Sequence, residues 1–348
     1  MILKNNNKIS LDKFISLSLY DKKFGYYMKM NPFGKKGDFI TAPNISRLFS
    51  EMIAIWSISY WQSLGSPRKF NLIELGAGNG EMMKVLIESF KKFPIFFRSC
   101  NIIIHEKSPN LIKKQKNKIK EKNVSWVSNL TKLKNFPSIF IANEFFDSIP
   151  IKQFFKRNKF WFEKFVNLSN KKEIVFFEKK IDIRKIEKKM NLKISKNQKI
   201  IEYSPGGIKY LNSITNIINK NNGGLLIIDY GYDEEKMQDT LQAIYRHKYS
   251  NVLQNIGKSD ITHNINFNLF KKIVHKKKFL KTNLVTQKEF LVNMGIKNRA
   301  EIISANKTFK EKSDIYYRLK RLIDENAMGS LFKVMLIKKS NNNFKIGF

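Results

Sequence analysis

The chain has 348 residues, of which 42% are hydrophobic and one, Cys100, is a cysteine, and its formal net charge is +36. This length and apolar content allow a full hydrophobic core, and a single cysteine excludes both an intramolecular disulfide and a cysteine cluster for zinc. No apolar run approaches the roughly 20 residues that a membrane-spanning helix needs. The N-terminus shows neither a secretory signal core nor an Arg-rich transit peptide. We therefore expect a protein of a reducing cytoplasm, without membrane insertion.

The positive charge comes mainly from lysine. Only nine of the 65 basic residues are arginine, and asparagine, isoleucine and phenylalanine are abundant as well. Lys, Asn, Ile and Phe all have codons rich in A and T, so a genome of low GC content raises them together. The lysines also lie in short scattered runs such as 113–114, 179–180 and 276–278. This pattern favours a solvated basic surface and makes a dedicated nucleic-acid face the less favoured alternative.

Predicted strands and helices alternate along the chain after an N-terminal helical segment. We assign residues 1–65 to a helical cap or lid, whose main helix spans residues 45–61, and residues 66–348 to an α/β domain. An insertion at about 150–222 begins with the hydrophobic alternation of a hairpin, and its part 179–199 is Lys-rich, polar and expected to be exposed. Seven strands are predicted in the α/β domain, at residues 70–75, 102–105, 124–127, 138–143, 225–229, 282–285 and 331–337.

A glycine-rich turn follows the first of these strands. Glu74 precedes Gly76, Gly78 and Gly80, and glycine lets the backbone approach a ligand without a Cβ in the way. A dinucleotide site would need the third glycine at the position of Glu81. Alternate glycines after an acidic residue instead resemble the first motif of class I S-adenosylmethionine-dependent methyltransferases. The alternative interpretation of these glycines is a structural turn between strand and helix, without a binding role.

The second strand ends in Glu106. In doubly wound sheets the ligand lies outside the carboxyl ends of the strands, and an acidic residue at the end of the second strand accepts hydrogen bonds from the ribose hydroxyls. We therefore expect Glu74 near the methionine end of the cofactor and Glu106 near its ribose. The alternative for Glu106 is a solvated charge before the helix that starts near Pro109.

The fourth strand delivers the candidate catalytic groups. It ends in Asn143, and Glu144 and Asp147 follow at the edge where class I methyltransferases place groups near the transferred methyl. A guanidinium stays protonated at neutral pH, so its site needs carboxylates that grip the planar fork and orient one nitrogen. Phe145 and Phe146 could exclude water. The alternatives are turn and capping chemistry for the two acids and core packing for the two rings.

Two further segments can contribute to the site. Residues 37–43 precede the sheet and could fold over the cofactor, with Asp38 and Thr41 lining the site, or form a rigid loop instead. Asp229 and Tyr230 end the fifth strand at the same sheet edge and are candidates for substrate contact. No metal site is expected, because metal-ligand spacing is lacking among His105, His247, His263 and His275.

Short blocks along the chain carry a wider resemblance, in addition to the glycine turn and Glu106. They are LYD at 19–21, FGYYM at 24–28, NPFG at 31–34, GDFITAP at 37–43, ANEFFDSIP at 142–150, YSP at 203–205, DYGY at 229–232, DTLQA at 239–243, DIT at 260–262, and MG with LFKV at 328–334. With these blocks the chain resembles the mitochondrial complex I assembly-factor protein arginine methyltransferases and their bacterial homologues, from about residue 10 to 338. Ser50 and Asn266 depart from the family pattern, where Gly and Asp are usual.

The resemblance implies a class I, Rossmann-like seven-stranded sheet with an N-terminal helical cap and an α+β insertion. It also implies S-adenosyl-L-methionine as cofactor and an arginine on a respiratory complex I subunit as substrate, so the partner would be a protein. Two alternatives stay open: methylation of RNA or another acceptor, and a non-catalytic assembly factor that binds a client. A bacterial cytoplasm is the expected location, with the mitochondrial matrix as the alternative, and the oligomeric state is not indicated.

Overall fold

The computed structural model describes residues 8–29, 41–168 and 173–348. Its strands are β1 (Ile9–Ser10), β2 (Phe70–Leu75), β3 (Cys100–His105), β4 (Val124–Val127), β5 (Ser138–Asn143), β6 (Lys152–Arg157), β7 (Phe160–Leu168), β8 (Ile174–Ile181), β9 (Ile200–Tyr203), β10 (Gly223–Tyr232), β11 (Gln242–Tyr245), β12 (Lys248–Ser250), β13 (Asp260–Thr262), β14 (Ile265–Asn266), β15 (Leu280–Thr286) and β16 (Phe332–Lys339). Its helices are α1 (Leu11–Tyr20), α2 (Tyr26–Lys29), α3 (Ala42–Ile45), α4 (Arg47–Ser63), α5 (Glu81–Phe90), α6 (Pro94–Ser99), α7 (Pro109–Lys118), a 3₁₀ turn (Leu130–Lys132), α8 (Ile183–Met190), α9 (Pro205–Asn221), α10 (Phe267–His275), α11 (Gln287–Asn293), α12 (Ile296–Ser304), α13 (Phe309–Ile323) and α14 (Met328–Leu331).

The main sheet has the strand order β15-β16-β10-β5-β2-β3-β4, with the two-residue strand β14 beside the end of β10. The strands from β10 to β4 are parallel, and β16 runs antiparallel to both of its neighbours. All seven predicted strands lie on this path, so the expected α/β sheet is confirmed, and β14 adds an eighth strand.

Both faces of this sheet are buried, which is why its strands read as continuous apolar runs. Along β10, Leu226 and Ile228 pack in a cluster with residues of α4 and α5. Leu225 and Ile227 point to the opposite face and pack in a second cluster with residues of α9 and α10. Side chains that alternate along one strand therefore contribute to two separate cores.

The chain order reverses between β2 and β5, because β2 leads to β3 and β4 on one side while β5 and β10 lie on the other. Ligands of open α/β sheets bind in the crevice at such a switch point, outside the carboxyl ends of the strands. The glycine turn follows β2, Glu106 follows β3, and the segment 144–150 follows β5. The topology thus brings the three predicted motifs to one crevice.

The N-terminal segment and the insertion, expected as separate additions, share one sheet. Strand β7 pairs with β8, with β6 and, at Val166, with Ile9 of β1, while β9 pairs with β6. The insertion sheet ends with β9 at Tyr203. The next helix, α9, packs Leu211 and Ile214 in the core of the main sheet, so it belongs with that sheet although the insertion was expected to reach residue 222. The Lys-rich part of the insertion contains the end of β8 and the helix α8.

A small three-stranded sheet of β12, β11 and β13 follows β10. Asn266, one of the departures from the family pattern, lies at the N-cap of α10 and accepts a hydrogen bond from the backbone N–H of Leu269 at 2.8 Å. An amide oxygen therefore caps this helix as a carboxylate would. Within the three described ranges of the chain, no helix combines the length and apolar composition that a bilayer crossing requires.

Candidate active site

A cavity of about 680 Å³ lies at the carboxyl ends of the central strands. Gly76, Gly78 and Glu106 line one part of it, which we call the glycine side. Glu144 and Asp147 line another part, together with Asp260 of β13, and we call these three residues the acidic side. One continuous space is therefore lined by part of the predicted cofactor set and by both predicted catalytic residues.

The glycine turn has a backbone that other residues rarely adopt. The φ angles of Gly76, Gly78 and Gly80 are +66°, +52° and +77°, in the left-handed region that glycine enters at little cost. A Cβ on Gly76 would lie 2.9 Å from the Phe145 ring. Gly80 does not line the cavity; it is the N-cap residue of α5. The turn thus gives a narrow, side-chain-free wall at Gly76 and Gly78.

Glu106 is buried, so it is not the solvated charge of the alternative interpretation. Its Oε1 accepts the backbone N–H groups of Lys107 (2.8 Å) and Ser108 (2.9 Å), and its Oε2 accepts Gln115 Nε2 (3.2 Å). Burial raises the pKa of Glu106, and these hydrogen bonds oppose the rise. Because a carboxylate has about four acceptor sites, this arrangement leaves room for about one further donor, fewer than the two ribose hydroxyls expected.

Glu74 is buried and lies behind the cavity wall, since it is not among the residues that line the cavity. Burial, and then the charge of Glu106, raise its pKa to about 8. Among the described residues no donor reaches Glu74 Oε2. The charge of Glu106 acts on Glu74, so the two carboxyl groups are electrostatically coupled. Glu74 does not line the cavity, and its expected place near the methionine end of the cofactor stays a prediction.

Glu144 has an unusual backbone and an unusual acidity. Its φ is +49°, which is uncommon for a residue with a side chain. Its N–H donates to the carbonyl of Ile228 at 2.9 Å, and its Oε1 accepts the N–H of Ala42 (3.4 Å) and Asn143 Nδ2 (3.3 Å). Burial raises the pKa of Glu144 to about 7 despite these two donors, and the charge of Asp260 adds to the rise.

Asp147 and Asp229 differ in their surroundings. Asp229 Oδ2 accepts the N–H groups of Phe146 (2.9 Å) and Asp147 (3.3 Å), and Oδ1 accepts that of Tyr230 (2.9 Å). In contrast, no donor among the described residues reaches Asp147 Oδ1. Burial, followed by the charges of Asp229 and Glu144, raises the pKa of Asp147 well above its usual range. The pKa of Asp229 rises to about 8, through burial and then through Glu144.

The remaining predicted residues lie in several places. Tyr230 and Thr41 line the cavity, whereas Asp229 and Asn143 do not. Asp229 lies behind the segment 144–150, where it holds backbone amides, so a substrate contact is no longer expected of it. Asn143 is buried and donates to Glu144. Asp38 lies outside the described residues.

The two phenylalanines of the same segment have different environments. Phe145 lines the cavity, and its ring lies 5.2 Å from that of Tyr210 and 6.4 Å from that of His105, between centroids. Phe146 is fully buried, with its ring centroid 5.3 Å from that of Phe270 in the core. Only Phe145 can therefore exclude water from the cavity, and Phe146 fits the core-packing alternative.

The sequence analysis did not predict several residues that line the cavity. Tyr27 OH donates to Asp260, with both carboxylate oxygens at 2.9 Å, and Tyr20 OH donates to the carbonyl of Ser148 at 3.0 Å. The two tyrosine rings stack with centroids 5.5 Å apart. Tyr27 and Asp260 lie in the blocks FGYYM and DIT of the family resemblance, which was the one sequence signal for these residues. The periodicity of the sequence does not reveal that two such distant segments are in contact.

His105 and Tyr210 close the cavity near Gly76. His105 Nδ1 lies 3.1 Å from the carbonyl of Val127, and Nε2 lies 2.9 Å from Tyr210 OH. Burial lowers the pKa of His105 to about 4, so the ring is neutral at pH 7. Because a carbonyl only accepts, Nδ1 carries the proton and Nε2 accepts from the tyrosine. Elsewhere too, the described ranges hold no group of three or more His, Cys, Asp or Glu side chains placed to bind a metal ion.

Comparison with known proteins identifies the class of enzyme. The family described as "Putative S-adenosyl-L-methionine-dependent methyltransferase" matches residues 52–285. The chain belongs to this methyltransferase family. The match covers more than half of the chain and confirms both the predicted enzyme class and the predicted cofactor, S-adenosyl-L-methionine.

Relatives and solved structures extend this result. "Protein arginine methyltransferase NDUFAF7, mitochondrial" of Xenopus tropicalis is 28% identical over 95% of this chain and 82% of its own length. The human protein of that name is also 28% identical, over 86% and 73%. A Burkholderia thailandensis protein, solved with S-adenosyl-homocysteine bound, superimposes with a TM-score of 0.81 over 98% of this chain and 90% of its own, at 20% identity. This structural likeness confirms the fold.

The residues of the cavity fit the cofactor of the family. A side chain at Gly76 would collide with Phe145, so the glycine side offers bare backbone to a ligand. Glu106 presents a buried carboxylate that can still accept a hydroxyl donor. Glu144 and Asp147 line the same cavity, and a cation such as a sulfonium would favour their ionised forms against the burial that raises their pKa values.

Proposed function

We propose that this methyltransferase modifies an arginine side chain of a protein. The observation that carries the proposal is the acidic side of the cavity, where three carboxylates from two separate elements share one space with the glycine side. The names of the vertebrate relatives, protein arginine methyltransferases, support the same acceptor.

The acidic side suits a guanidinium in charge and in geometry. A guanidinium is planar, stays protonated at neutral pH and matches carboxylates through paired N–H donors. Asp147 lines the cavity, and no donor among the described residues reaches its buried Oδ1. The charge of Asp260 raises the pKa of Glu144, and the charges of Glu144 and Asp260 contribute to the raised pKa of Asp147. A bound cation would therefore offset a repulsion that the protein alone leaves in place.

In this proposal the cofactor supplies an electrophilic methyl group on a sulfonium. Gly76, Gly78 and Gly80 shape the turn beside it. Glu106 and Thr41 line the same cavity, Glu74 and Asn143 support the site from behind the cavity wall, and Asp38 completes the proposed cofactor set.

The catalytic roles fall to the acidic side. Glu144 and Asp147 grip the acceptor and orient one nitrogen toward the methyl group. The carboxylate of Asp147 takes up the proton that the nitrogen loses, a role that a raised pKa favours. Phe145 keeps water out. Tyr230 contacts the acceptor at the cavity wall, and Asp229 holds the segment from which Glu144 and Asp147 project.

The proposed client is a subunit of respiratory complex I, as the family resemblance implies. The relatives are named as mitochondrial proteins, which favours the mitochondrial matrix over the bacterial cytoplasm expected from the sequence. RNA is the less favoured acceptor, because the carboxylates of the acidic side would repel phosphate groups.

The decisive experiment combines labelled S-adenosylmethionine with extract from cells that lack this gene. We expect recombinant enzyme to transfer label to material that protease destroys and ribonuclease leaves intact, with mass spectrometry locating the methyl group on arginine. Label on RNA, or a client that binds the chain without gaining label, would refute the proposal in favour of the corresponding alternative.

Matched variants test whether the acidic side is required for methyl transfer. Asp147→Asn removes a cavity carboxylate and should lower turnover by about 100-fold or more, while binding of S-adenosylhomocysteine remains. Glu202→Gln is the control, because Glu202 is another buried carboxyl group, with a pKa near 7, outside this cavity. It should keep its turnover.

A further inference from the structure

Gln115 of α7 is fully buried between the two parts of the cofactor site. Its Nε2 donates to the carbonyl of Gly78 at 2.9 Å and to Glu106 Oε2 at 3.2 Å. Its Oε1 accepts the indole N–H of Trp126 at 2.9 Å. One amide therefore joins the glycine turn after β2 to the carboxylate after β3 and to a side chain of β4.

The partners of Gln115 determine which way its amide points. A carbonyl and an ionised carboxylate only accept hydrogen bonds, and an indole N–H only donates. The amide nitrogen must therefore face Gly78 and Glu106, and the amide oxygen must face Trp126. A glutamate could not donate in this position, and an apolar side chain of the same length would leave three buried polar groups without this partner.

The third glycine of the turn makes room for this residue. A Cβ on Gly80 would lie 3.3 Å from Gln115 Cγ and 3.4 Å from its Cα, which is closer than most such contacts. Gly80 does not line the cavity, so its place in the motif is explained by the packing of Gln115 against the turn.

We propose that Gln115 is a positioning residue for the cofactor. It fixes the Gly78 carbonyl and the Glu106 carboxylate relative to each other, so that the turn and the acidic residue meet one ligand at the same time. Affinity gained in this way comes from preorganisation and needs no contact between Gln115 and the ligand. The same link makes the indole of Trp126 a reporter of the cofactor site.

Calorimetric titration with S-adenosylhomocysteine tests this role. We expect Gln115→Met to bind the compound about 10- to 100-fold more weakly than the wild type, because the lost hydrogen bonds leave Gly78 and Glu106 free to shift. Gln287→Met is the matched control: Gln287 is also fully buried on a helix and donates its amide to a backbone carbonyl, that of Leu322 at 2.8 Å, but it bonds neither the glycine turn nor Glu106. Its variant should unfold more easily and keep its affinity.

Two further measurements separate positioning from stability. Gln115→Glu keeps the acceptor for Trp126 and loses both donors, so it should also bind S-adenosylhomocysteine more weakly. This variant provides the test if Gln115→Met fails to fold. The fluorescence of Trp126, taken as the difference between otherwise identical proteins with and without Trp126→Phe, should respond to the ligand in the wild type and not in Gln115→Glu. Wild-type affinity in a Gln115 variant, or an equal loss in Gln287→Met, would overturn the proposal.

Discussion

Glu144 combines a strained backbone with a buried carboxyl group, and both cost free energy on folding. Its backbone has a φ of +49°, and burial raises the pKa of its carboxyl group to about 7. Strained backbone and desolvated charge both cost free energy, and such costs gather at functional sites. A cation bound in the cavity would offset the second cost, which accounts for a carboxyl group in this position.

Glu144→Gln should therefore stabilise the protein while it removes activity. A carboxyl group whose pKa is raised in the folded state stabilises that state below its ordinary pKa of 4.5, and this contribution is lost as the pH rises through about 7. The substitution should thus raise the free energy of unfolding by about 1 to 2 kcal/mol at pH 8 and by little at pH 5. Denaturant titrations at both pH values measure this; equal effects at the two pH values would contradict the assignment.

The same group gives the enzyme a predicted pH dependence. Gripping a guanidinium requires the ionised carboxylate, so kcat/KM should rise with pH up to about 7, the pKa of Glu144, and then level off. The carboxyl group of Asp147, whose pKa is also raised, faces the same space, so its ionisation is coupled to that of Glu144. Initial rates on an arginine peptide from pH 5.5 to 9 test this, and a rate that falls over the acid range would be incompatible with it.

Gly76 offers a test of the bare backbone wall. Gly76→Ala places a Cβ 2.9 Å from Phe145 at a φ of +66°, whereas Gly65→Ala meets nothing within 4 Å at a φ of +85°. Both variants should lose about 1 kcal/mol from backbone strain. Only Gly76→Ala should also weaken S-adenosylhomocysteine binding, by tenfold or more. Thermal melts measure the loss of stability, and calorimetry measures the affinity for S-adenosylhomocysteine. Similar affinities in the two variants would show that a Cβ at residue 76 does not obstruct the ligand.

At the level of single residues, the sequence predicted the acids that follow strand ends, and the structure brings Glu106, Glu144 and Asp147 to one cavity. It also predicted that Asp229 and Tyr230 would both contact the substrate. Consecutive residues of a strand point to opposite faces, so only one of the two can face the cavity, and it is Tyr230. The alternation rule could have made that distinction.

At the level of elements, the seven strands of the main sheet were predictable because parallel strands are buried on both faces. Strands β11, β12 and β13 were not predicted. They have only three or four residues each, too few for a pattern of alternation to emerge. Their existence depends on pairing with one another, and that pairing brings Asp260 to the site.

Asp229 joins two elements and predicts a local effect. Its carboxyl group accepts the N–H groups of Phe146, Asp147 and Tyr230, and so holds the segment 144–150 to the end of β10. Asp229→Ala should destabilise the protein by about 1 to 3 kcal/mol and speed hydrogen exchange at these three amides. Mass-spectrometric exchange measures both. The amides of β2, which Asp229 does not contact, provide the internal control, and unchanged protection at residues 146–147 would disprove the link.

At the level of the whole molecule, the net charge of +36 predicts a response to salt. Like charges spread over the surface repel one another and destabilise the compact state, and the Debye length falls from about 30 Å at 0.01 M salt to about 8 Å at 0.15 M. The melting temperature should therefore rise as sodium chloride is added. Chloride is preferred to sulfate, since sulfate strengthens burial by itself. A melting temperature that falls with salt would indicate stabilising ion pairs instead.

The hydrogen bond between Tyr27 and Asp260 joins residues 233 positions apart. The groups proposed to hold the cofactor lie mostly between Glu74 and Gln115, so a partial chain already encodes them, whereas the pocket for the acceptor is complete only when β13 has formed against the N-terminal helices. The acceptor pocket therefore depends on a contact between distant parts of the chain that the proposed cofactor residues do not need for their own placement.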